Sequence, residues 1–349
     1  MHFSSIPPDV LAQFRDGVVI PAQPLALNAQ RQFDLRRQRA LTRYYVDAGA
    51  GGLAVAVHTT QFAIRDVGLY TPVLEAAAET ASDWTDRPLM MIAGVVGRTD
   101  QALSEARTAR ALGYHAVLLS LAAFKGCSED ELIEHCQAVA AEMPLVGFYL
   151  QPAVGGVVLA ASFWRRFAEI DNVIGIKVAP FNRYATLDVM AGVAAANAAD
   201  RVTLYTGNDD HIVLDLVTPF RTEQGELHFA GGLLGHWSVW TQKAVDILAR
   251  CKEARKNTAI PTEVLSLDSA VTDCNAAFFD VANAFHGVIA GCHEVLRRQG
   301  LLEGRWCLDP NEDLSPGQLE AIDRVHRLYP ELNDDAFVKA NLGKWLETA

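Results

Sequence analysis

The feature that most constrains the fold of this 349-residue chain is a repeat. Short apolar, β-branched stretches begin at residues 18, 53, 89, 116, 145, 173, 202 and 227, at intervals of 25 to 36 residues. A segment of helical period follows each of them, as at 34–48, 72–84, 99–112, 128–142 and 238–251. Such an interval holds one strand and one helix. Eight units in succession predict an α/β fold, a (β/α)8 TIM barrel of about 250 residues. A doubly wound open sheet would carry a Gly-rich phosphate turn after its first strand. Here the first strand, Val18-Val19-Ile20, runs instead into Pro21 and Pro24. The eighth strand, expected at 227–234, is interrupted by Gly231-Gly232. A polar stretch, 252–263, then divides a barrel domain (1–251) from a C-terminal helical extension (252–349). Helices are expected there at 271–299, after a Ser315 cap with Pro316 in first position, and at 336–346.

A net charge of −12 disfavours nucleic acid and anionic membranes as partners. The opening MHFSSIPPDV lacks a signal-peptide pattern and no apolar run reaches membrane-span length, so a cytoplasmic protein is expected. The six cysteines form no CxxC pair, which points to reduced thiols rather than a zinc site or a disulfide framework.

In a barrel of this kind the site is built at the C-terminal ends of the strands. Strand six reads Asn172-Val173-Ile174-Gly175-Ile176-Lys177-Val178-Ala179-Pro180, and Lys177 is its only charge. Burial strips a lysine of hydration and pushes its amine toward the neutral, nucleophilic form. No Asp or Glu lies within five residues of it. Lys177 is therefore either a Schiff-base lysine or a strand-end lysine paired from elsewhere in the fold. Strict alternation, counted back from Lys177 and across to strand five, turns Gly175, Gly147 and Tyr149 inward and Phe148 outward. That places the Tyr149 phenol beside the amine, where it would relay protons, unless Tyr149 is a core tyrosine whose hydroxyl is satisfied by backbone. Strand two ends in His58-Thr59-Thr60-Gln61, whose hydroxyls and N–H groups suit a carboxylate, although threonines are also common in turns. His236-Trp237 after strand eight suits a substrate wall, although Trp237 and Trp240 stand at helical spacing, which suits packing for at least one of them. Asn208, Asp209 and Asp210 after strand seven suit helix capping.

These residues resemble the dihydrodipicolinate synthase / N-acetylneuraminate lyase superfamily of class I aldolases, over about residues 18–251. Asn172 to Lys177 is similar to the stretch with the family's imine-forming lysine. Gly147-Phe148-Tyr149-Leu150-Gln151-Pro152 is similar to its Tyr-Asn-x-Pro segment with the catalytic tyrosine. Gly207-Asn208-Asp209 is similar to its turn after strand seven. The chain also departs from the pattern. The Gly-Thr-Thr-Gly-Glu carboxylate motif becomes Val57-His58-Thr59-Thr60-Gln61, with Thr59 serving in either of two registers. The Thr-Pro-Tyr-Tyr segment becomes Ser120-Leu121-Ala122-Ala123-Phe124, without the relay tyrosine. The synthases' carboxylate-binding arginine falls near Val154.

The resemblance implies a class I aldolase or lyase that makes or breaks a carbon–carbon bond in a 2-keto acid. Pyruvate would be the imine-bound fragment, and the enzyme would not be a true dihydrodipicolinate synthase. Lys177 and Tyr149 would be catalytic. Thr59, Thr60, His58, Asn208, His236 and Trp237 would bind substrate. No metal or organic cofactor is implied. The partners would be a small 2-keto acid and an aldehyde, in a homo-oligomer, dimer or tetramer. A Schiff-base dehydratase or hydratase-aldolase on a sugar acid or aromatic substrate, and a non-catalytic keto-acid binder, stand as alternatives.

Overall fold

A computed structural model describes residues 1–347. Eight parallel strands form the barrel: β1 (Val19–Pro21), β2 (Gly52–Val55), β3 (Met90–Val95), β4 (Ala116–Leu119), β5 (Leu145–Leu150), β6 (Val173–Ala179), β7 (Thr203–Thr206) and β10 (Gly231–Leu234). The sheet runs β1-β10-β7-β6-β5-β4-β3-β2. An Ala22–Ala54 bridge and the Gln23 N–H bond to the Ala54 carbonyl join its edges. Being covered on both faces, the strands are almost wholly buried, which explains their unbroken apolar runs.

Helices α2 (Leu35–Asp47), α3 (Tyr70–Trp84), α4 (Thr99–Ala111), α5 (Glu129–Glu142), α6 (Ala161–Glu169), α7 (Arg183–Ala195), α8 (Ile212–Val217) and α9 (Thr241–Ala254) follow the strands. An additional helix, α1 (Pro8–Asp16), closes the N-terminal end of the barrel. Its Phe14 stacks on Tyr205 at 4.8 Å, and the Tyr205 hydroxyl donates to the Phe14 carbonyl at 2.7 Å.

Three expectations are corrected. The last barrel strand is only Gly231–Leu234, because residues 220–227 fold into a separate antiparallel hairpin, β8 (Phe220–Thr222) and β9 (Gly225–Leu227). The helix expected at 271–299 is two, α10 (Thr262–Phe278) and α11 (Val288–Arg298), broken where Asp280, Ala284 and Phe285 take left-handed backbone. Ser315 and Pro316 precede α12 (Gln318–Leu328) without capping it, since the cap residue is Gly317 in left-handed conformation. The final helix is α13 (Asp335–Trp345).

One register detail governs the site. Leu145 of β5 pairs with Val173 of β6, but the next pair is Val146 with Gly175, so Ile174 is an extra residue in β6. Beyond this bulge Phe148, not Tyr149, stands opposite Lys177. Ile174 turns into the barrel interior with Val146 and Phe148, whereas Tyr149, Ile176 and Val178 join the layer under the helices.

The loop after β2 is held by a buried ion pair. Arg65 donates to both Glu105 oxygens at 2.9 Å and to the Gly94 carbonyl at 2.9 Å, while Glu105 also accepts from Val96 N–H and Gln101. Glu105→Ala strands Arg65 without its partner. The unfolding free energy is expected to fall by about 3–5 kcal/mol in denaturant titration.

Candidate active site

Lys177 leaves β6 at the C-terminal mouth of the barrel and enters a small recess that opens to solvent. The polar rim consists of His58, Thr59, Gln151, Lys177 and Asp209. The remaining wall is apolar: Phe148, Leu150, Val154, Ala179, Phe181, Leu234, Phe279, Phe285 and Val288, with Gly207 and Gly235.

Gly207 makes room for the lysine. A β-carbon there would lie 2.9 Å from Lys177 Cε and 3.0 Å from Ala179 Cβ. The amine sits 4.3 Å from the centre of the Phe148 ring, and among the described residues no carboxylate pairs with it within 4 Å. Burial lowers its pKa, and the Asp209 charge opposes that shift only in part. Burial in turn raises the Asp209 pKa, against the pull of Lys177. The two shifts run toward each other, so a proton passes between the amine and the carboxyl more readily than between the same groups in water. Asp209 Oδ1 is enclosed and has no hydrogen-bond partner.

His58 also lines the recess. Burial first, and then the Lys177 charge, depress its pKa to about 4, so the imidazole is neutral at pH 7. Thr59 lies beside it, its hydroxyl close to Gly235. The backbone N–H groups of His58 and Thr59 have no acceptor among the described residues.

The other site expectations are corrected by geometry. Tyr149 faces the helices: its hydroxyl donates to the Leu159 carbonyl and accepts from the Leu159 N–H, each at 3.2 Å, and its ring lies 5.2 Å from Trp164. The bulge at Ile174 is the reason, for it moves the register by one residue. Thr60 is spent on the scaffold, donating to the Gln23 carbonyl at 2.7 Å and accepting from Val57 N–H. Asn208 binds the Thr186 hydroxyl and Asp215 and accepts from Phe181 N–H. It thus braces the ends of β6 and β7 and does not line the recess. Trp237 is fully buried against Gly232.

His236 is buried between Trp240 and Phe278, and its Nδ1 bonds Asn275 Oδ1. Asn275 Nδ2 donates to the Asp209 carbonyl at 2.7 Å, which leaves its oxygen as the acceptor, so His236 is the neutral Nδ1–H tautomer. Burial, opposed by the Asn275 bond, holds its pKa near 4. The His236–Asn275 pair thus sets the turn that carries Asp209.

Sequence reasoning placed Asp209 in a helix cap and gave no role to Phe148, Phe181, Phe279 or Phe285. α8 begins later, at Ile212, with His211 as its cap residue. The available signal for Asp209 was a second acid beside Asn208 at a strand end. Nothing local marks Phe279 and Phe285, which arrive from the extension.

A family model described as the Dihydrodipicolinate synthetase family matches residues 16–219. A 4-hydroxy-tetrahydrodipicolinate synthase from Moorella thermoacetica is 28% identical over 208 residues, 58% of this chain and 66% of that protein. One from Alkaliphilus oremlandii is 31% identical over 117 residues, 33% and 38% of the two chains. The matches span less than two thirds of these relatives' lengths. Among solved structures, dihydrodipicolinate synthase from Aquifex aeolicus superposes with a TM-score of 0.73 at 18% identity, covering 90% of this chain and 98% of the other. N-acetylneuraminate lyase from Fusobacterium nucleatum gives 0.72 at 18% identity, with 91% and 99% covered. At these identities the likeness is one of fold.

Two outcomes follow from the geometry. Gly207→Ala forces its β-carbon against the lysine stem and is expected to cost about 1–3 kcal/mol of stability in thermal or chemical denaturation. The depressed lysine also links stability to pH. Between the lowered folded-state value and the unfolded value of about 10.4, the unfolded chain binds more protons at Lys177, so stability rises with pH. Relative to Lys177→Met, the wild type is expected to gain up to about 1.4 kcal/mol per pH unit across that window.

Proposed function

The chain belongs to the dihydrodipicolinate synthetase family, and from that premise we propose that it is a class I aldolase or lyase acting on a 2-keto acid through an imine at Lys177. The observation that carries this reading is a buried lysine at the barrel mouth whose pKa is lowered and whose amine faces an open recess.

In this reading the Lys177 ammonium first passes a proton to the Asp209 carboxylate, and the neutral amine so formed attacks the keto carbon. The carbonyl electron pair moves to oxygen, which takes a proton, and the nitrogen gives one up. The protonated Asp209 carboxyl then donates to the departing hydroxyl, water leaves, and a protonated imine remains. In cleavage, the Asp209 carboxylate accepts the proton of the substrate's hydroxyl. The carbon–carbon bond pair flows into the imine, yielding an aldehyde and an enamine. Protonation of the enamine carbon and addition of water release pyruvate and restore the amine.

Thr59, with the free N–H groups of the His58-Thr59 turn, holds the carboxylate. Phe148 packs under the amine and keeps water from it. Asp209 takes the proton-carrying role expected of Tyr149, whose hydroxyl is engaged by Leu159. The imine nitrogen is the electron sink, so the chemistry as proposed calls on no metal or organic cofactor. Val154 and the surrounding rings offer no guanidinium for a second carboxylate, which supports an activity other than dihydrodipicolinate synthesis. Assembly into a dimer or tetramer belongs to the same proposal.

Borohydride reduction in the presence of pyruvate, followed by peptide mass mapping, tests the reading. A pyruvyl adduct on Lys177, absent from Lys177→Met, is expected; no adduct at any pH from about 6 to 9 would refute it. Asp209→Asn is expected to lower kcat by about 10²–10⁴-fold. Because the Asp209 charge favours the ammonium, the same substitution is expected to move the pH midpoint of imine formation downward. Release of pyruvate separates lyase chemistry from dehydration, which would keep the carbon skeleton whole.

A further inference from the structure

We propose that the aldehyde partner is a neutral aromatic or bulky apolar one, held by a phenylalanine wall that the C-terminal extension folds over the recess. The proposal rests on the imine reading and names the second substrate's class.

Three observations carry it. First, the outer wall is aromatic: Phe181 and Phe285 lie 5.9 Å apart on opposite loops, and Phe279 and Val288 stand on the flanks of the same extension segment. Second, these positions are held deliberately. Phe181, Asp280, Ala284 and Phe285 all take left-handed backbone, with φ of +50°, +56°, +52° and +68°. Non-glycine residues adopt it only where surrounding bonds compel them. Those bonds are present. The Asp280 carboxylate accepts from Gly287 N–H at 3.0 Å, from Asn283 Nδ2 at 2.6 Å and from the Ser315 hydroxyl. The Asp280 carbonyl accepts from Phe285 N–H at 3.0 Å, and Asn208 accepts from Phe181 N–H at 3.2 Å.

Third, the charge pattern excludes other partners. Lys177, Asp209 and His58 are the ionisable groups of the lining. Lys177 is consumed by the imine and His58 is neutral. A carboxylate or phosphate on the aldehyde would face Asp209 and aromatic rings with no cation to pair with. A polyhydroxylated chain would find only the Thr59, Gln151, His58 and Asp209 side chains for its many donors and acceptors. A benzene ring, by contrast, meets Phe181, Phe279 and Phe285. In the addition direction the enamine carbon bonds to the aldehyde carbon, the carbonyl pair moves to oxygen, and Asp209 supplies its proton. One water, released when the imine formed, is consumed when it is hydrolysed.

The test uses the wild-type protein, pyruvate and three aldehydes: benzaldehyde, glyceraldehyde and succinic semialdehyde. Benzaldehyde is expected to show the highest kcat/KM, by about 30-fold or more, in line with what a few apolar contacts discriminate. Equal or better use of either other aldehyde would overturn the proposal, as would trapping of pyruvate without turnover of benzaldehyde. Failure to trap pyruvate refutes the imine reading separately. The wall is then still decided by calorimetry on Lys177→Met with benzyl alcohol, glycerol and succinate. Binding of benzyl alcohol at least about 10-fold tighter than the other two supports the wall. Equal or tighter binding of glycerol or succinate, or no binding of benzyl alcohol, overturns it.

Discussion

The central constraint is the burial of one positive charge. A lysine held between the Phe148 ring and the end of a closed parallel barrel loses most of its hydration, and the protein returns little of it. The ring face contributes about 2 kcal/mol to the ammonium. The facing acid, Asp209, is half-buried, and loss of hydration raises its pKa. Each charge favours the other, but burial works against both. In the proposed chemistry, passage of one proton from the ammonium to this acid would give the neutral amine that attacks the keto carbon.

Much of the scaffold around this pair serves to keep it in place. Asp215, fully buried, accepts from Arg183 at 2.5 Å, from Thr206 at 2.6 Å and from Asn208 at 2.9 Å, tying the end of β7 to α7. His236 and Asn275 fix the Asp209 backbone from the side of the extension. Arg65 and Glu105 fix the loop that presents His58 and Thr59. These polar groups beneath the recess are thus satisfied by one another, whereas Asp209 Oδ1, in the lining, has no partner.

The architecture was legible because strand–helix alternation depends on local patterns that repeat. Lys177 was legible because a charge stands out in an apolar run. Three things were not. The bulge at Ile174 leaves no mark, since Ile174 and Ile176 look alike in sequence, yet it exchanges Tyr149 for Phe148 beside the amine. The break between α10 and α11 falls in a stretch without proline, and only the Asp280 bonding network, drawn from residues far apart, reveals it. His236 and Trp237 looked like a substrate wall because polar and aromatic neighbours fit a site and a core equally well, and only the packing decides between them.

The most direct test of the account is a titration of Lys177 itself, by NMR of protein labelled with ¹³C at the lysine ε-carbon and assigned by loss of the signal in Lys177→Met. The account predicts a midpoint well below the ordinary lysine value of about 10.4. A midpoint at or above that value would mean that the charge is compensated where it lies, and would contradict the account of Lys177 as a nucleophile prepared by burial.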